Sequence, residues 1–371
     1  MKVGIPREVK NNEFRVAITP AGADELVRHG HEVLVEKNAG AGSSIADEEY
    51  LAAGARILST ADEVWAAADL VLKVKEPVAE EYHRLRKDQT LFTYLHLAAS
   101  AECTQALLSS GITAIAYETV ETANRTLPLL APMSEVAGRL APQVGAYHLM
   151  RSVGGRGVLP AGVPGTAPAE AVVIGGGVSG WNATQIAVGL GFHVTLLDKD
   201  ISKLREADKV FGTKVKTVVS NSFELERAVV EADLVIGAVL IPGAKAPKLV
   251  SNELVARMKP GSVLVDIAID QGGCFEDSHP TTHTEPTFTV HNSVFYCVAN
   301  MPGAVPNTST YALTNATLPY ILELADRGWT EALRRDAALA KGLNTHDGKV
   351  VYREVAEAHG LDHVELHALL G

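Results

Sequence analysis

The feature that most constrains this chain is a glycine turn set between two apolar runs. Glu170-Ala171-Val172-Val173-Ile174 is short, apolar and ends abruptly in glycine, the profile of a parallel strand buried on both faces. Gly175-Gly176-Gly177-Val178-Ser179-Gly180 follows and fits G-x-G-x-x-G at Gly175, Gly177 and Gly180. The three glycines serve different ends, namely the tight turn, close approach of backbone to a pyrophosphate, and close packing of helix on strand. A helix then runs through Ala183, Ile186, Ala187 and Leu190 and stops at Gly191, a C′ glycine. Its N-terminus offers N–H groups and the positive end of its dipole to phosphate. The next strand, His193-Val194-Thr195-Leu196-Leu197, ends at Asp198, eighteen residues past the last glycine. An acid there accepts hydrogen bonds from the adenosine ribose and repels a 2′-phosphate. The unit from Ala169 to Asp198 therefore predicts a dinucleotide site that takes NAD rather than NADP.

The alternation continues on both sides. Apolar runs at 215–219, 234–240, 263–267 and 294–298 bring the count to six strands in this half, the number of a doubly wound dinucleotide domain. Ligands in such sheets sit at the carboxyl ends of strands, which here are marked by Gly175, Asp198, Ser220, Leu240, Asp270 and Asn300. Before residue 130, runs at 2–5, 32–35, 69–74, 90–95 and 112–117 read as a second parallel set without a glycine fingerprint. Lys75, His96 and Glu118 follow its third, fourth and fifth runs, and Arg15 lies in the loop that leaves the first. Two long helical stretches, about 134–151 and 309–325, join the halves. The expected fold class is α/β, with two Rossmann-like doubly wound parallel-sheet domains and the first discontinuous. Residues 1–130 with 305–371 form a catalytic and substrate domain, and residues 131–304 the NAD-binding domain with its linking helix. The region from Thr330 reads as helical.

Composition narrows the function. A net charge of −11, from 33 basic and 44 acidic residues, argues against a nucleic-acid partner. No run of eighteen uncharged apolar residues occurs, so no membrane span is expected. Cys103, Cys274 and Cys297 are too few and too scattered for a disulfide framework or a zinc site, fit a reducing cytoplasm and read as core residues. No metal site is expected. In so acidic a chain, a lone Arg or Lys at a strand end is a candidate for holding an anionic substrate.

With these residues in view, the chain resembles the NAD-dependent alanine dehydrogenases over nearly its full length. The stretches that carry the resemblance are Gly4-Ile5-Pro6 with Asn11-Asn12-Glu13-Phe14-Arg15-Val16, Lys73-Val74-Lys75-Glu76-Pro77 and Leu95-His96-Leu97-Ala98. Further on come Leu130-Ala131-Pro132-Met133-Ser134-Glu135-Val136-Ala137-Gly138, Asp266-Ile267-Ala268-Ile269-Asp270-Gln271-Gly272-Gly273 and Val298-Ala299-Asn300-Met301-Pro302. The same superfamily holds the nucleotide-binding part of proton-translocating transhydrogenase and the saccharopine dehydrogenases, which supply the alternative functions. The resemblance implies reversible oxidative deamination of L-alanine to pyruvate, ammonium and NADH, in a homo-oligomer for which the hexamer is favoured. It implies Arg15 and Lys75 as substrate-binding residues and His96 and Asp270 as the catalytic pair. It implies a cofactor lining of Ser134, Val178, Asp198, Lys203, Ser220, Val239, Leu240, Ile267, Ala268, Ile269, Val298, Ala299, Asn300 and Met301, beside the turn glycines.

The chemistry needs such groups. Hydride leaves the alanine Cα, and water must attack the iminium that results, so amine and water have to be deprotonated by a group that titrates near neutrality. Imidazole is the natural choice. An Arg can grip a carboxylate by two parallel hydrogen bonds, a Lys can hold the carboxylate or carbonyl oxygen, and Asp270 can polarise water or balance the amine. Each residue has a plainer alternative. His96 can be structural, Arg15 solvated, Lys75 part of a surface cluster with Lys73 and Glu76, and Asp270 the cap of a turn before Gly272. Glu118 is expected to be structural, and core packing accounts for Met133 and Met301 as well as nicotinamide contact does.

Overall fold

The computed structural model describes residues 1–239 and 246–371; Leu240, expected at the cofactor, lies outside the described residues. The chain divides into two compact units, residues Met1–Met133 with Val305–Gly371, and Ser134–Ala304. Strands run in chain order as β1 (Lys2–Ile5), β2 (Glu32–Glu36), β3 (Arg56–Leu58), β4 (Leu70–Leu72), β5 (Thr90–Thr93) and β6 (Thr113–Ala116). Then follow β7 (Glu170–Ile174), β8 (His193–Asp198), β9 (Val215–Val219), β10 (Leu234–Gly237), β11 (Val263–Asp266), β12 (Thr287–Val290) and β13 (Ser293–Tyr296). The chain closes with β14 (Leu343–His346) and β15 (Lys349–Val350).

In the first unit the sheet order is β15-β14-β6-β5-β4-β1-β2-β3. β1 to β6 pair in parallel, whereas β14 and β15 add as an antiparallel edge. The C-terminal region is thus not purely helical as expected: residues 343–350 turn back as a hairpin on β6. Leu343-Asn344-Thr345-His346 lacks the alternation that marks a half-exposed strand, because its first three residues are all buried. β3 was also unforeseen, being three residues long and headed by an exposed Arg56.

In the second unit the order is β12-β13-β11-β10-β7-β8-β9. All neighbours are parallel except the edge strand β12, a seventh strand beyond the six expected. The direction of winding reverses between β7 and β10, and the corresponding reversal in the first unit falls between β1 and β4. Such switch points open a crevice at the carboxyl ends of the strands.

The continuous apolar strands are explained by coverage of both faces. Ala171 and Val173 of β7 join one core cluster while Val172 and Ile174 join another, because successive side chains point to opposite sides of a sheet. Each such Val or Ile, fully buried, contributes about 1.5–3 kcal/mol. Helix α1 (Ala131–His148) lies on the first of these faces. A Cβ at Gly138 would come within 2.2 Å of the Ser179 carbonyl, and one at Gly145 within 2.6 Å of Leu234, so glycine lets α1 approach. Helix α2 (Val178–Gly189) follows β7, and Gly191 beyond it has φ +86°. Helix α3 (Pro306–Arg327) belongs to the first unit, where Thr310 Oγ1 accepts the Val16 amide at 3.1 Å. The three cysteines are buried. Among the described residues no helix is long and apolar enough to cross a membrane.

Candidate active site

In the first unit the loops that follow β1, β4 and β5 gather charge at the switch point. Lys73, one residue past β4, is fully buried between Glu8 Oε2 at 3.1 Å and Glu81 Oε1 at 3.0 Å. It is not part of a surface cluster with Lys75. Glu8 also accepts the Val74 amide at 2.6 Å, which ties the loop after β1 to the loop after β4. Burial pushes the Glu8 carboxyl up despite the Lys73 charge beside it, and the two carboxylates hold the Lys73 ammonium above its ordinary value against its own burial.

Arg15 is buried and its guanidinium is clasped by Glu13. Nε donates to Glu13 Oε1 at 2.7 Å and Nη2 to Oε2 at 2.6 Å, while Nη1 lies 3.0 Å from Met133 Sδ. Burial alone would raise the Glu13 carboxyl. The Arg15 hydrogen bonds and charge, with Lys75 behind them, outweigh it and bring the carboxyl down to about 2. One edge of the Arg15 fork is therefore already engaged by Glu13.

Lys75 is partly buried and its charge acts on both Glu13 and Glu76. His96 follows β5 in a left-handed conformation, φ 49° and ψ 37°, which costs a non-glycine residue free energy. Glu118 holds it there, accepting the His96 amide at 2.6 Å and the Leu95 amide at 3.2 Å. The imidazole is partly exposed, 5.8 Å from the Tyr94 ring centroid and with Nδ1 3.9 Å from Glu76 Oε2. Tyr94 is buried and donates its hydroxyl to the Leu129 carbonyl. Arg15, Lys75 and His96 are thus brought to one edge of one sheet, linked through Glu13 and Glu76. Glu13, Glu76 and Tyr94 were not picked out from the sequence. Glu13 stands two residues before Arg15 and Glu76 one after Lys75, and acid beside cation was the available signal.

In the second unit the glycine turn is built for a close neighbour. Gly175 has φ +101°, and a Cβ there would meet the Ala238 carbonyl at 2.9 Å and Val239 at 3.0 Å. A Cβ at Gly180 would fall 1.7 Å from the Gly175 carbonyl, whereas one at Gly177 meets no described atom within 4 Å. Gly180 is thus required by helix–strand packing. Gly177 is not required by any neighbour among the described residues, which is what a glycine kept for a ligand looks like. Among the described residues no side chain caps α2, and Val178 in its first turn is exposed. Asp198, at the end of β8, is buried and accepts the Gly176 amide at 2.6 Å and the Asp200 amide at 2.8 Å. Lys203 Nζ stands 3.4 Å from it, and Ser220 N donates to the Asp198 carbonyl at 2.9 Å. An open glycine, an uncapped helix start and an acid beside the turn fit a dinucleotide.

The remaining expected cofactor residues lie along the same sheet edge with unequal exposure. Ser134, Ser220, Val239, Ile267, Ala299 and Asn300 are partly exposed, whereas Ala268, Ile269, Val298 and Met301 are buried. Val298 and Met301 sit in one core cluster and Ala268 and Ile269 in the other. Asp270 is exposed on the short turn Ile269–Gln271, which Gly272 ends with φ +90°; it belongs to the second unit. Asp266, which the sequence offered only as part of a longer stretch, organises this loop. Fully buried, it accepts the amides of Ala268 at 3.1 Å and Cys274 at 2.8 Å and the Ser278 hydroxyl. Burial pushes its carboxyl up.

The family description "Alanine dehydrogenase/PNT, N-terminal domain" matches residues 4–137, and "Alanine dehydrogenase/PNT, C-terminal domain" matches residues 141–353. The chain is 68% identical over 96% of its length to an alanine dehydrogenase of Mycolicibacterium smegmatis, of which it covers 96%. A solved L-alanine dehydrogenase superposes with a TM-score of 0.94 at 52% identity, covering 97% of this chain and 99% of that one. A transhydrogenase from Sinorhizobium meliloti superposes with a TM-score of 0.83 at 27% identity, covering 95% of this chain and 100% of that one. By both its domains and its full-length relatives, the chain belongs to the alanine dehydrogenase/PNT family.

Proposed function

We propose that this chain is an NAD-dependent L-alanine dehydrogenase, which interconverts L-alanine with pyruvate and ammonium. The observation that carries the reading is the gathering of Arg15, Lys75 and His96 at one sheet edge, through Glu13 and Glu76, in a chain so similar to alanine dehydrogenases throughout. NAD, when bound, supplies the hydride acceptor. Arg15 binds the substrate carboxylate. Lys75 holds the oxygen of the carboxylate or of the nascent ketone and favours its polarisation. His96 takes the proton of the amine and passes it to solvent, then takes a proton from the attacking water and returns it to the departing nitrogen. Asp270 is the second catalytic group, which polarises water or balances the charge of the amine. Asp198 selects NAD over NADP. The enzyme works in the cytoplasm as a homo-oligomer, with the hexamer favoured by the family.

The test is to mix the purified full chain with NAD and L-alanine and follow NADH absorbance. Turnover with alanine, and much slower turnover across a panel of other amino acids, is the expected result. Hydride exchange only in the presence of a transhydrogenase partner, without alanine turnover, would favour the transhydrogenase reading that the Sinorhizobium structure raises.

A further inference from the structure

Glu76 has a geometry that pairing with Lys10 alone does not explain. Its side chain is largely buried, one oxygen accepting from Lys10 Nζ. The other, Oε2, is buried and has no hydrogen-bond partner among the described residues. A carboxylate oxygen buried without a donor is costly, and such an atom calls for an explanation. The ring nitrogen in front of it is His96 Nδ1 at 3.9 Å. Burial would raise the Glu76 carboxyl, but the Lys10 hydrogen bond and the charges of Lys75, Lys10 and His96 hold it below the usual carboxylate range. An ionised acceptor therefore faces the imidazole.

The His96 backbone is fixed, since Glu118 accepts its amide at 2.6 Å. What remains is rotation of the side chain, and a movement of about 1 Å closes the gap to a hydrogen bond. Bonds of catalytic groups are often long before substrate binds and shorten in the complex. We propose that Glu76 is the positioning residue of His96: with substrate bound, Nδ1–H donates to Glu76 Oε2. The imidazole is then held in the tautomer protonated at Nδ1, and the Nε2 lone pair is presented to the substrate. Lys10 keeps the carboxylate in place from behind. This deepens the reading of His96 as the acid–base group and rests on it. A carboxylate that orients an imidazole and fixes its tautomer is a recurring device in catalysis.

The experiment uses the full chain with NAD and L-alanine, in parent, H96Q, E76Q and E76D forms. E76Q is expected to lower kcat by about 10- to 100-fold while KM for alanine stays within about threefold, because orientation and not substrate binding is lost. E76D, which keeps the charge, should recover part of the loss. The second readout needs no altered Glu76. Solid-state 15N spectra of histidine-labelled parent protein with NADH and pyruvate, with the His96 signals identified by their loss in H96Q, should show Nδ1 protonated and Nε2 bare. The opposite tautomer overturns the proposal, and so does an E76Q enzyme with kcat within twofold of the parent. If instead H96Q itself turns over at nearly the parent rate, the acid–base reading of His96 falls, and the two failures are told apart.

Discussion

Asp198 Oδ2 accepts the Gly176 amide at 2.6 Å, so the acid that ends β8 and the glycine turn that follows β7 form one unit. On the proposed reading, in which Asp198 meets the ribose, the same carboxylate also fixes the backbone of the glycine turn, so cofactor choice and cofactor affinity should be coupled through one side chain.

Replacing Asp198 by Ala should therefore do more than relax selectivity. KM for NAD is expected to rise by about 10- to 100-fold, the equivalent of one to two hydrogen bonds to a charged group, and discrimination against NADP to shrink. Asp198→Asn, which keeps an acceptor for Gly176 but drops the charge, should retain more NAD affinity while accepting NADP better. Steady-state kinetics with both cofactors decides it, and unchanged preference in both variants would remove Asp198 from the selection of NAD.

Two neighbouring glycines are expected to fail in opposite ways. In Gly180→Ala the new Cβ falls 1.7 Å from the Gly175 carbonyl, and the overpacking should cost at least about 3 kcal/mol of folding stability. In Gly177→Ala no described atom lies within 4 Å of the new Cβ. Denaturant unfolding should change by no more than about 1 kcal/mol, with NAD binding weakened all the same. Equal stability losses in both would mean that Gly177 is a packing glycine.

Acid should weaken the first unit through Glu13. Its folded-state carboxyl sits at about 2, below the ordinary 4.5. Its contribution is thus complete above pH 4.5 and is lost progressively as the pH falls toward 2. Glu13→Gln should be the less stable protein at pH 7, since Arg15 then stays buried without its counter-charge. The difference between variant and parent should narrow as the pH is lowered below 4.5. Urea midpoints of both proteins from pH 7 to pH 3 give the answer; a constant difference would contradict the assignment.

His96→Ala should lower kcat by about 10²- to 10⁴-fold, the range of a positioned acid–base group, with little change in stability. Glu118→Ala strands the Leu95 and His96 amides and should cost about 2 kcal/mol, with a fall in kcat because the left-handed His96 loses its tether. If Glu118→Ala unfolds at the parent's denaturant concentration, the tether is not what holds that backbone.

Much of this was legible beforehand. The strand Glu170–Ile174, the three glycines and Asp198 stand within one stretch of chain, and local rules act on neighbours in sequence. Lys75 and His96 stand out by the same logic, since each follows an apolar run. The antiparallel hairpin of β14 and β15 was not legible, because burial of Leu343, Asn344 and Thr345 comes from pairing with β6, more than two hundred residues away. Lys73 looked like a surface charge for the same reason. Glu8, 65 residues away, comes from the loop after β1, and Glu81 from a short helix at Ala79–Arg84 further along the β4–β5 connection.

The sequence by itself determined the alternation of strand and helix, the dinucleotide turn, the acid that follows it and the residue types available for catalysis. Tertiary structure alone decided which acids meet which bases: Glu13 on Arg15, Glu118 under the His96 backbone, Glu76 facing its ring, Asp266 inside the loop before Asp270. Periodicity and turn chemistry are set by near neighbours, whereas hydrogen bonds and ion pairs depend on distances of a few ångströms between segments that only folding brings together.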